Sequence, residues 1–372
     1  MDETKRTPLY EAHLKLGGKM MAFAGYWLPV QYSGIIEEHH AVRNACGLFD
    51  VSHMGRFIIE GDGAAGTLEW LCTNDIASLP EGAACYTFLC NASGGVIDDI
   101  LVYKLHGKYM LVVNAANREK AWRHLMDNAG GACIRDSSDE TAQIALQGPG
   151  FLKVLDKLGV GINVPAKRYR YAGGLRIAGL DIELSTTGYT GEEGVEIFCR
   201  AGDAAALYDA LYDAGADFGL RPCGLGCRDT LRMEAAMPLY GHELGEDISP
   251  LEAGLHTFVK LDKTADFIGK QALLEQEEKG VPRTRIGLKL LDRGIPRQGC
   301  GVLFKGNRTG TVTSGGFCPT LGGSYAMALI DSRYAEKDVF KIVIRDRALP
   351  AQRVDMPFYK RSKQPKQIKG RN

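Results

Sequence analysis

The sequence predicts an α+β fold that ends in a small antiparallel β-barrel or sandwich. Before residue 283, strands alternate with helical segments, and residues 175–186 and 195–199 have the pattern of paired hairpin strands. From about residue 283 onward, short β runs are separated by Gly, Asn and Asp turns, with little helix. These patterns favour sheets that are covered on one face over a doubly wound parallel sheet.

In the first part of the chain, apolar residues recur at helical spacing in several segments and alternate or cluster in others. The predicted helices cover residues 11–18, 34–45, 64–71, 151–158, 204–214 and 224–235, with one more beginning after Asn117. The predicted strands cover residues 56–60, 83–90, 96–103, 108–113 and 141–146.

The predicted barrel strands are shorter and more closely spaced. They cover residues 286–291, 301–304, 309–312, 326–329 and 339–344. Residues 263–281 are rich in Lys and Glu, and we interpret them as the connection between the two parts. The chain is thus expected to hold two or three structural units.

Composition excludes several classes of protein. The chain has 372 residues, of which 45% are hydrophobic and 24% charged, and its 45 Lys and Arg balance 45 Asp and Glu. Such a balance gives no overall field toward nucleic acid or an anionic membrane. The N-terminus resembles neither a secretory signal nor a mitochondrial presequence, and no apolar run reaches the ~20 residues that cross a bilayer. A cytoplasmic protein is expected, or a mitochondrial matrix protein if the source is eukaryotic and a presequence has been removed.

The cysteines and histidines do not follow a metal-binding pattern. Among ten cysteines, only Cys85 and Cys90, and Cys223 and Cys227, are close pairs, and neither has C-x-x-C spacing. The eight histidines include no pair at the spacing of a zinc helix. The sequence therefore predicts reduced, mostly buried thiols and no metal. His53 is predicted to be a structural, hydrogen-bonded histidine.

Residues 91–103 (NASGGVIDDILVY) carry the most unusual feature of the chain. A polar turn enters an apolar run that Asp98 and Asp99 interrupt. Because adjacent strand residues point to opposite faces, one of the two carboxylates is expected to face inward and the other water or a turn. A carboxylate on an apolar strand is costly unless a partner or a function holds it there. A salt-bridged or capping pair is the alternative.

The segment 61–66 (GDGAAG) matches the glycine fingerprint of dinucleotide-binding folds. Asp62, however, would direct a negative charge at the pyrophosphate. No parallel strand ending in an acid follows about twenty residues later, as that fold requires. We interpret the segment as a βα turn, with dinucleotide binding as an alternative.

Six polar residues form the candidate site. They are Tyr86, Asp99, Asn114, Tyr169, Glu196 and Arg228. Arg228 lies in the first turn of a helix, where the helix dipole opposes a cation, so an anionic partner is expected. Glu196 follows a glycine-rich loop that lets a flat ligand approach the backbone. A glutamate can accept two neighbouring N–H groups, and an arginine can bind a carbonyl or a carboxylate. Both contacts suit a flat polar heterocycle. The protein would position this ligand, and the ligand would supply the reactive groups.

Several motifs occur together in this chain and carry a resemblance to a known family. They are residues 7–10 (TPLY), 49–55 (FDVSHMG), 73–75 (TND), 91–103, 113–117 (VNAAN), 147–149 (QGP), 187–196 (TGYTGEEGVE), 224–229 (GLGCRD), 266–270 (DFIGK), 310–315 (GTVTSG) and 356–359 (MPFY). Through them the chain resembles the T-proteins of the glycine cleavage system, the aminomethyltransferases, over almost its whole length.

This resemblance implies a three-lobed fold with a C-terminal antiparallel β-barrel and a central folate site. It implies transfer of the one-carbon unit of an aminomethyl group, carried on the dihydrolipoyl arm of H-protein, to tetrahydrofolate, with release of ammonia. The catalytic residue of the family falls on Asp99. The folate-binding positions fall on Tyr86, Asn114, Tyr169, Glu196 and Arg228, with Tyr240 a further match. The implied partners are lipoylated H-protein and folate, without nucleic acid or membrane.

The resemblance also divides the chain. Residues 1–275 are expected to form the folate-binding catalytic region in two lobes, residues 283–358 the barrel, and residues 359–372 a flexible basic tail. The tail contains Arg361, Lys363 and Lys366. None of them clearly matches the folate-contacting arginine that family members often carry near the end of the chain.

Related families remain as alternatives. A folate-dependent demethylase shares the fold, and the folate half of dimethylglycine- or sarcosine-oxidising enzymes usually carries a flavin domain for which this chain has no room. The folate-binding iron–sulfur maturation protein has a Lys-Gly-Cys-Tyr-type motif, and the comparable residues 267–270 (FIGK) lack its cysteine.

Overall fold

The computed structural model describes residues 4–361. The strands are β1 (Lys5–Arg6), β2 (Lys19–Phe23), β3 (Tyr26–Gln31), β4 (Cys46–Asp50), β5 (Gly55–Glu60), β6 (Ala83–Cys90), β7 (Val96–Leu105), β8 (Lys108–Val113), β9 (Cys133–Asp136), β10 (Thr141–Gln147), β11 (Tyr171–Ile177), β12 (Leu180–Ser185), β13 (Gly194–Arg200), β14 (Leu220–Pro222), β15 (Arg283–Leu290), β16 (Gly301–Phe304), β17 (Asn307–Cys318), β18 (Gly323–Asp331), β19 (Val339–Ile344) and β20 (Arg347–Val354). The α-helices are α1 (Tyr10–Lys15), α2 (Ile35–Asn44), α3 (Ala64–Leu71), α4 (Arg118–Asp127), α5 (Phe151–Lys157), α6 (Ala204–Gly215), α7 (Leu225–Glu234) and α8 (Lys270–Lys279).

Two sheets form the part of the chain before the barrel. One has the strand order β11-β12-β13-β10-β4-β14, and the other has the order β6-β7-β8-β5-β9. A smaller sheet, β1-β3-β2, carries the N-terminal hairpin. Helices α5 and α6 pack against the first sheet, where Leu155, Leu207 and Leu211 join strand residues in a buried core. Helices α3 and α4 cover the second sheet in the same way, with Leu68, Leu71 and Leu125 buried.

The C-terminal strands close into a barrel in the order β15-β18-β17-β16-β19-β20. Neighbouring strands are antiparallel throughout, and alternate residues such as Ile286, Leu288 and Leu290 point into the barrel core. The α+β class, the three lobes and the closed antiparallel barrel are therefore as the sequence and the resemblance predicted. The residue boundaries proposed for the domains remain a prediction.

Some strands were not expected from the sequence. β4 is a short, fully buried strand between β10 and β14, so its residues show no alternation of apolar and polar types. β20 contains Pro350, which normally argues against a strand that is paired on both sides. Pro350 lies opposite Lys341 of β19, and its carbonyl oxygen accepts a hydrogen bond from the Leu291 amide. The local sequence patterns of β4 and β20 therefore do not predict strands.

The glycine-rich segment 61–66 joins β5 to α3, as the βα-turn interpretation predicted. The strands that flank β5 are β8 and β9, and both are antiparallel to it. A dinucleotide-binding fold needs a parallel β-α-β unit at this point. The surroundings of the segment therefore contradict the dinucleotide alternative. None of the helices between residues 4 and 361 has the length and apolar character that crossing a bilayer requires.

Candidate functional site

A cavity of about 370 Å³ lies between the two large sheets. Its walls come from both sheets, the β2–β3 turn, α7 and the segment after α7. All seven site residues predicted from the sequence line this cavity. They are Tyr86, Asp99, Asn114, Tyr169, Glu196, Arg228 and Tyr240. Residues that are far apart in the chain thus meet around one space of the size that suits a small-molecule ligand.

Asp99 lies on one wall, on strand β7, where two neighbours hold its carboxylate. Tyr86 lies diagonally across from it on β6, and its hydroxyl donates a hydrogen bond to Asp99 Oδ2 at 2.8 Å. Asn114 follows β8 on the other side, and its Nδ2 donates to Asp99 Oδ1 at 2.7 Å. Both carboxylate oxygens are therefore oriented by a donor.

Asp98 points away from the cavity and is fully buried. Its Oδ1 accepts hydrogen bonds from Asn117 Nδ2 at 2.6 Å and Asn114 Nδ2 at 2.8 Å, and its Oδ2 accepts the Asn114 backbone N–H at 3.0 Å. Asp98 therefore faces inward, as the alternation along the strand predicted for one of the two aspartates, and Asp99 is only half-buried, on the wall of the cavity. A register shift between β6 and β7 lies next to the pair, between Leu89, which is opposite Asp98, and Cys90, which is opposite Val96.

The turn before β7 is fixed by a close backbone approach. A side chain at Gly95 would place its Cβ only 1.9 Å from the Glu246 carbonyl oxygen. The Asn91 side chain also bonds within this turn, donating to the Glu246 carbonyl and accepting the Ser93 and Gly95 N–H groups. The turn and the segment after α7 therefore hold the start of β7 in place.

The environment shifts the ionisation of both carboxyl groups. Burial raises the pKa of Asp99 to about 6, while the hydrogen bonds from Tyr86 and Asn114 oppose that rise. Burial and the adjacent Asp99 carboxylate also raise the pKa of Asp98. Asp99 is therefore mostly ionised at neutral pH and takes up a proton readily.

Glu196 and Arg228 form a second polar group in the cavity. Glu196 lies on β13, is buried, and accepts a hydrogen bond from Thr187 Oγ1 at 2.5 Å. The guanidinium of Arg228, in the first turn of α7, lies 4.8 Å from the centre of the Tyr189 ring. Among residues 4–361, no acceptor lies within hydrogen-bond distance of that guanidinium. Burial raises the pKa of Glu196 and lowers the pKa of Arg228, because both side chains have lost most of their contact with water. Polar groups of a ligand can supply the hydrogen bonds that water would otherwise make.

The two remaining predicted residues, Tyr169 and Tyr240, differ in their exposure and in their hydrogen bonds. The side chain of Tyr169 is 41% exposed, and its backbone has a φ of 57°. The hydroxyl of Tyr240 donates to the Val96 carbonyl at 3.1 Å and accepts from Lys120 Nζ at 2.5 Å. These bonds occupy the Tyr240 hydroxyl, and Lys120 Nζ also lies over the ring, 4.5 Å from its centre.

Sequence reasoning missed several residues of the cavity wall. Tyr189, Gln143 and Thr187 were not in the candidate set, and His53 was assigned a hydrogen-bonded structural role. That assignment of His53 is wrong, since its ring makes no hydrogen bond within residues 4–361 and its Nδ1 is enclosed without a partner. For Tyr189 and Thr187, the glycine-rich loop that contains them was an available signal.

One cluster in the described chain brings potential metal ligands together, namely Glu38, Cys223 and Cys227 within 4.8 Å. Glu38 Oε1 already accepts the Tyr32 N–H at 2.6 Å, and Oε2 accepts the Gly224 N–H at 2.9 Å. Burial raises the pKa of the Cys223 thiol, which favours the protonated form over the thiolate that binds metals. This cluster fits a hydrogen-bonded core better than a metal site. All ten cysteines are free, and seven of them are buried.

The start of the predicted basic tail packs on the protein. Arg361 donates hydrogen bonds to Glu192 and to the Arg43 carbonyl, and the Tyr359 N–H donates to the Glu234 carbonyl at 2.8 Å. The partners of Arg361 are therefore residues that do not line the cavity. Lys363 and Lys366, with the rest of residues 362–372, lie outside the described part of the chain.

Known proteins share this sequence and fold. The profile of the "GCVT N-terminal domain" matches residues 9–263, and that of the "Glycine cleavage T-protein C-terminal barrel domain" matches residues 283–360. The aminomethyltransferase of Caldanaerobacter subterraneus subsp. tengcongensis is 48% identical over 97% of this chain and 98% of its own. The aminomethyltransferase of Halalkalibacterium halodurans is 47% identical over 97% of this chain and 100% of its own.

A solved structure is similar throughout the fold. The crystal structure of the glycine cleavage system aminomethyltransferase T from Bartonella henselae has a TM-score of 0.88 and 33% identity, covering 96% of this chain and 98% of that one. Matches of this extent include both large sheets, the cavity between them and the barrel. The chain therefore belongs to the aminomethyltransferase family of glycine cleavage T-proteins.

Proposed function

We propose that this aminomethyltransferase binds tetrahydrofolate in the cavity and uses Asp99 in the transfer step. The observation that carries the proposal is the joint presence of one oriented carboxylate, Asp99, and a second polar pair, Glu196 and Arg228, in a single cavity. Glutamate accepts N–H groups and arginine donates to carbonyl oxygens, so the pair suits the flat, polar end of a folate. The mostly apolar remainder of the wall suits its rings.

The overall reaction conserves atoms and protons. A C–S bond and a C–N bond of the aminomethyl thioether break, and two C–N bonds to folate nitrogens form. The two protons that those nitrogens lose are recovered in ammonia and in the dihydrolipoyl thiol. Tetrahydrofolate supplies the two nucleophilic nitrogens, and the protein supplies position, charge and a proton acceptor.

Asp99 is the group with the right charge and position for this task. Positive charge develops on the one-carbon unit as ammonia leaves, and an ionised carboxylate nearby stabilises it. Tyr86 and Asn114 fix the direction of both carboxylate oxygens before the reaction begins, which avoids reorganisation during the step. With a pKa of about 6, Asp99 can then accept the proton of a reacting nitrogen.

The proposed partner is H-protein carrying the aminomethyl group on its lipoyl arm. The basic tail, whose residues 362–372 lie outside the described part, is one candidate contact for an acidic H-protein. Removing those residues should weaken H-protein binding, and unchanged affinity would contradict this assignment. The predicted cytoplasmic location stays a prediction.

Ammonia release from aminomethylated H-protein tests the proposed function directly. We expect rapid release with tetrahydrofolate and slow release without it. The product mixture should contain 5,10-methylenetetrahydrofolate in equal amount to the ammonia formed. Ammonia release that does not depend on tetrahydrofolate would contradict the proposal.

A further inference from the structure

His53 is a buried histidine in the cavity wall that the proposed mechanism does not use. It follows β4 in the loop that leads to β5, its side chain is 3% exposed, and its ring meets Phe23 and Tyr26 edge to face at centroid distances of 6.0 and 6.4 Å. These aromatic contacts fix the plane of the imidazole. They offer no hydrogen-bond partner for either ring nitrogen.

The imidazole of His53 is neutral at physiological pH. Burial lowers its pKa to about 4, and the charges of Arg228 and Arg56 act in the same direction, against that of Asp50. A neutral imidazole carries one N–H and one bare nitrogen. Since Nδ1 is enclosed without a partner, and a buried N–H without an acceptor is rarer than a bare acceptor, the proton belongs on Nε2. Nε2 is then the nitrogen left to face the cavity.

His53 lies on the side of the cavity that holds Glu196. Ser52, its neighbour in the chain, accepts a hydrogen bond from the Gln143 N–H and donates one to the Gln143 carbonyl, at 3.1 and 3.2 Å. Gln143 lies on β10, two residues from Ala145, which pairs directly with Glu196 of β13. Gln143 and Glu196 are therefore diagonal neighbours on one face of the sheet, and the loop with His53 is hydrogen-bonded to the backbone of β10 at Gln143.

Gln143 supports the same side of the site. Its side chain lies near Glu196 and opposes the rise that burial causes in the Glu196 pKa, while its Oε1 is enclosed and has no partner within residues 4–361. The wall thus presents an acceptor, Glu196, next to the donors of Arg228 and His53. A ring with adjacent N–H and C=O groups, a cyclic amide, has the complementary pattern.

We propose that His53 is a specificity-determining residue whose Nε2–H donates a hydrogen bond to the ring carbonyl of the bound heterocycle. This inference rests on the proposed function, because it assigns a further contact to the same ligand. It predicts that the protein distinguishes a ring carbonyl from an amino group at that position, since an amino group cannot accept the bond in the same way.

Equilibrium binding of two probes tests the proposal without turnover. The first probe is 5-formyltetrahydrofolate, which has the ring carbonyl, and the second is its 4-amino analogue, in which an amino group replaces it. Wild-type protein should bind the carbonyl probe more tightly. H53F should lose about tenfold in affinity for that probe and little for the amino probe. H53Q keeps an N–H donor and should retain part of the preference.

A second measurement is made on the wild-type protein, and a variant serves only to assign the signal. Two-dimensional ¹H–¹⁵N NMR of wild-type protein with labelled histidine should show the His53 proton on Nε2, with a shift of that signal when 5-formyltetrahydrofolate is added. H53Q serves to assign the signal. A proton on Nδ1, or an Nε2 signal that the ligand leaves unchanged, would overturn the proposal.

The binding results separate this inference from the proposed function. If wild-type protein binds 5-formyltetrahydrofolate and H53F has the same affinity and the same preference between the probes, His53 has no role in specificity. If wild-type protein binds neither probe, the proposed folate site itself is wrong, and the proposed role of His53 is then wrong as well.

Discussion

The amide of Asn114 donates a hydrogen bond to the carboxylate of Asp99, with 2.7 Å between Nδ2 and Oδ1, and lies 2.8 Å from Asp98 Oδ1. One side chain therefore links two consecutive aspartates that point in different directions. Because Asn114 follows β8 directly, the end of that strand fixes both carboxylates. The arrangement orients Asp99 toward the cavity and keeps Asp98 in the interior.

Replacing Asp99 by asparagine tests whether catalysis depends on the negative charge of this side chain and not only on its shape. Asp99→Asn keeps the size of the side chain but removes the negative charge, so we expect turnover to fall by about a hundredfold or more. Binding of 5-formyltetrahydrofolate should change much less, because Glu196 and Arg228 remain. Ammonia release measures the first quantity and equilibrium titration the second. If Asp99→Asn keeps near wild-type turnover and Asp98→Asn does not, Asp98 is the catalytic neighbour.

The pH dependence of the reaction should report the ionisation of Asp99. Its pKa of about 6 predicts that kcat/KM falls as the pH drops below about 6, since only the ionised carboxylate stabilises positive charge. The Tyr86 hydroxyl donates to that ionised form and holds the pKa down. Tyr86→Phe should therefore raise the pKa and move the acidic limb of the profile to higher pH. Tyr169→Phe, which removes a cavity hydroxyl that is not bonded to Asp99, should leave the limb in place.

Arg228 should contribute to ligand binding and not to folding. Its guanidinium has no acceptor among residues 4–361, and burial disfavours its charge. Arg228→Gln should raise the Kd for 5-formyltetrahydrofolate by about 10- to 100-fold, which corresponds to about 1.5–3 kcal/mol for a hydrogen bond to a charged group. The melting temperature should stay the same or rise. A large fall in melting temperature would show that the contact with the Tyr189 ring or the charge of Glu196 gives Arg228 a structural role.

Arg43 provides the opposite case for comparison. Its guanidinium is buried between Glu192, at 2.9 Å, and Glu234, at 3.0 Å, and stacks 4.1 Å from the centre of the Tyr359 ring. Arg43→Gln leaves buried Glu234 without its arginine and Glu192 with Arg361 alone, so we expect a loss of about 3–5 kcal/mol in the free energy of unfolding. Chemical denaturation measures this loss. A change below about 1 kcal/mol would show that solvent reaches the two glutamates.

Much of the fold was predictable because the decisive signals were local. Helix α3 and strands β16 and β19 have the predicted bounds, since their apolar spacing and flanking turns lie within a few residues. Strand β4 escaped prediction because its burial depends on β10 and β14, which come from distant parts of the chain. The same limit applies to β20, where the position of Pro350 becomes acceptable only through its neighbours.

The site shows the same division between local and distant signals. Glu196 and Arg228 were found because a glycine-rich loop and a helix start mark them. Alternation along β7 predicted that Asp98 and Asp99 point in opposite directions, but which of them reaches the cavity depends on how β7 pairs with β6 and β8, which no pattern within β7 shows. His53 was misjudged because hydrogen-bond satisfaction depends on neighbours from β2, β3 and β10. The orientations of the site residues, on which the chemistry depends, are therefore set by contacts between segments that are far apart in the chain.

The glycine-rich segment 61–66 gives a last prediction, which addresses the dinucleotide alternative. In a true dinucleotide fingerprint the third glycine allows close packing of helix and strand, so a larger residue there is harmful. A Cβ at Gly66 would meet no atom within 4 Å, and Gly66 lies inside helix α3. Gly66→Ala should therefore raise the free energy of unfolding by about 0.5–1 kcal/mol, because alanine favours the helix.

Gly63 is the matched control, because the same substitution meets an obstacle there. Its Cβ would lie 2.9 Å from the Gly130 carbonyl oxygen, and backbone atoms cannot move aside easily. Gly63→Ala should lower the free energy of unfolding by about 1–3 kcal/mol. Titration with NADH should leave the fluorescence of the wild-type protein and of Gly66→Ala unchanged. A nucleotide-dependent change that Gly66→Ala abolishes would restore the dinucleotide interpretation, and its absence leaves a βα turn in which only the glycine beside Gly130 is required.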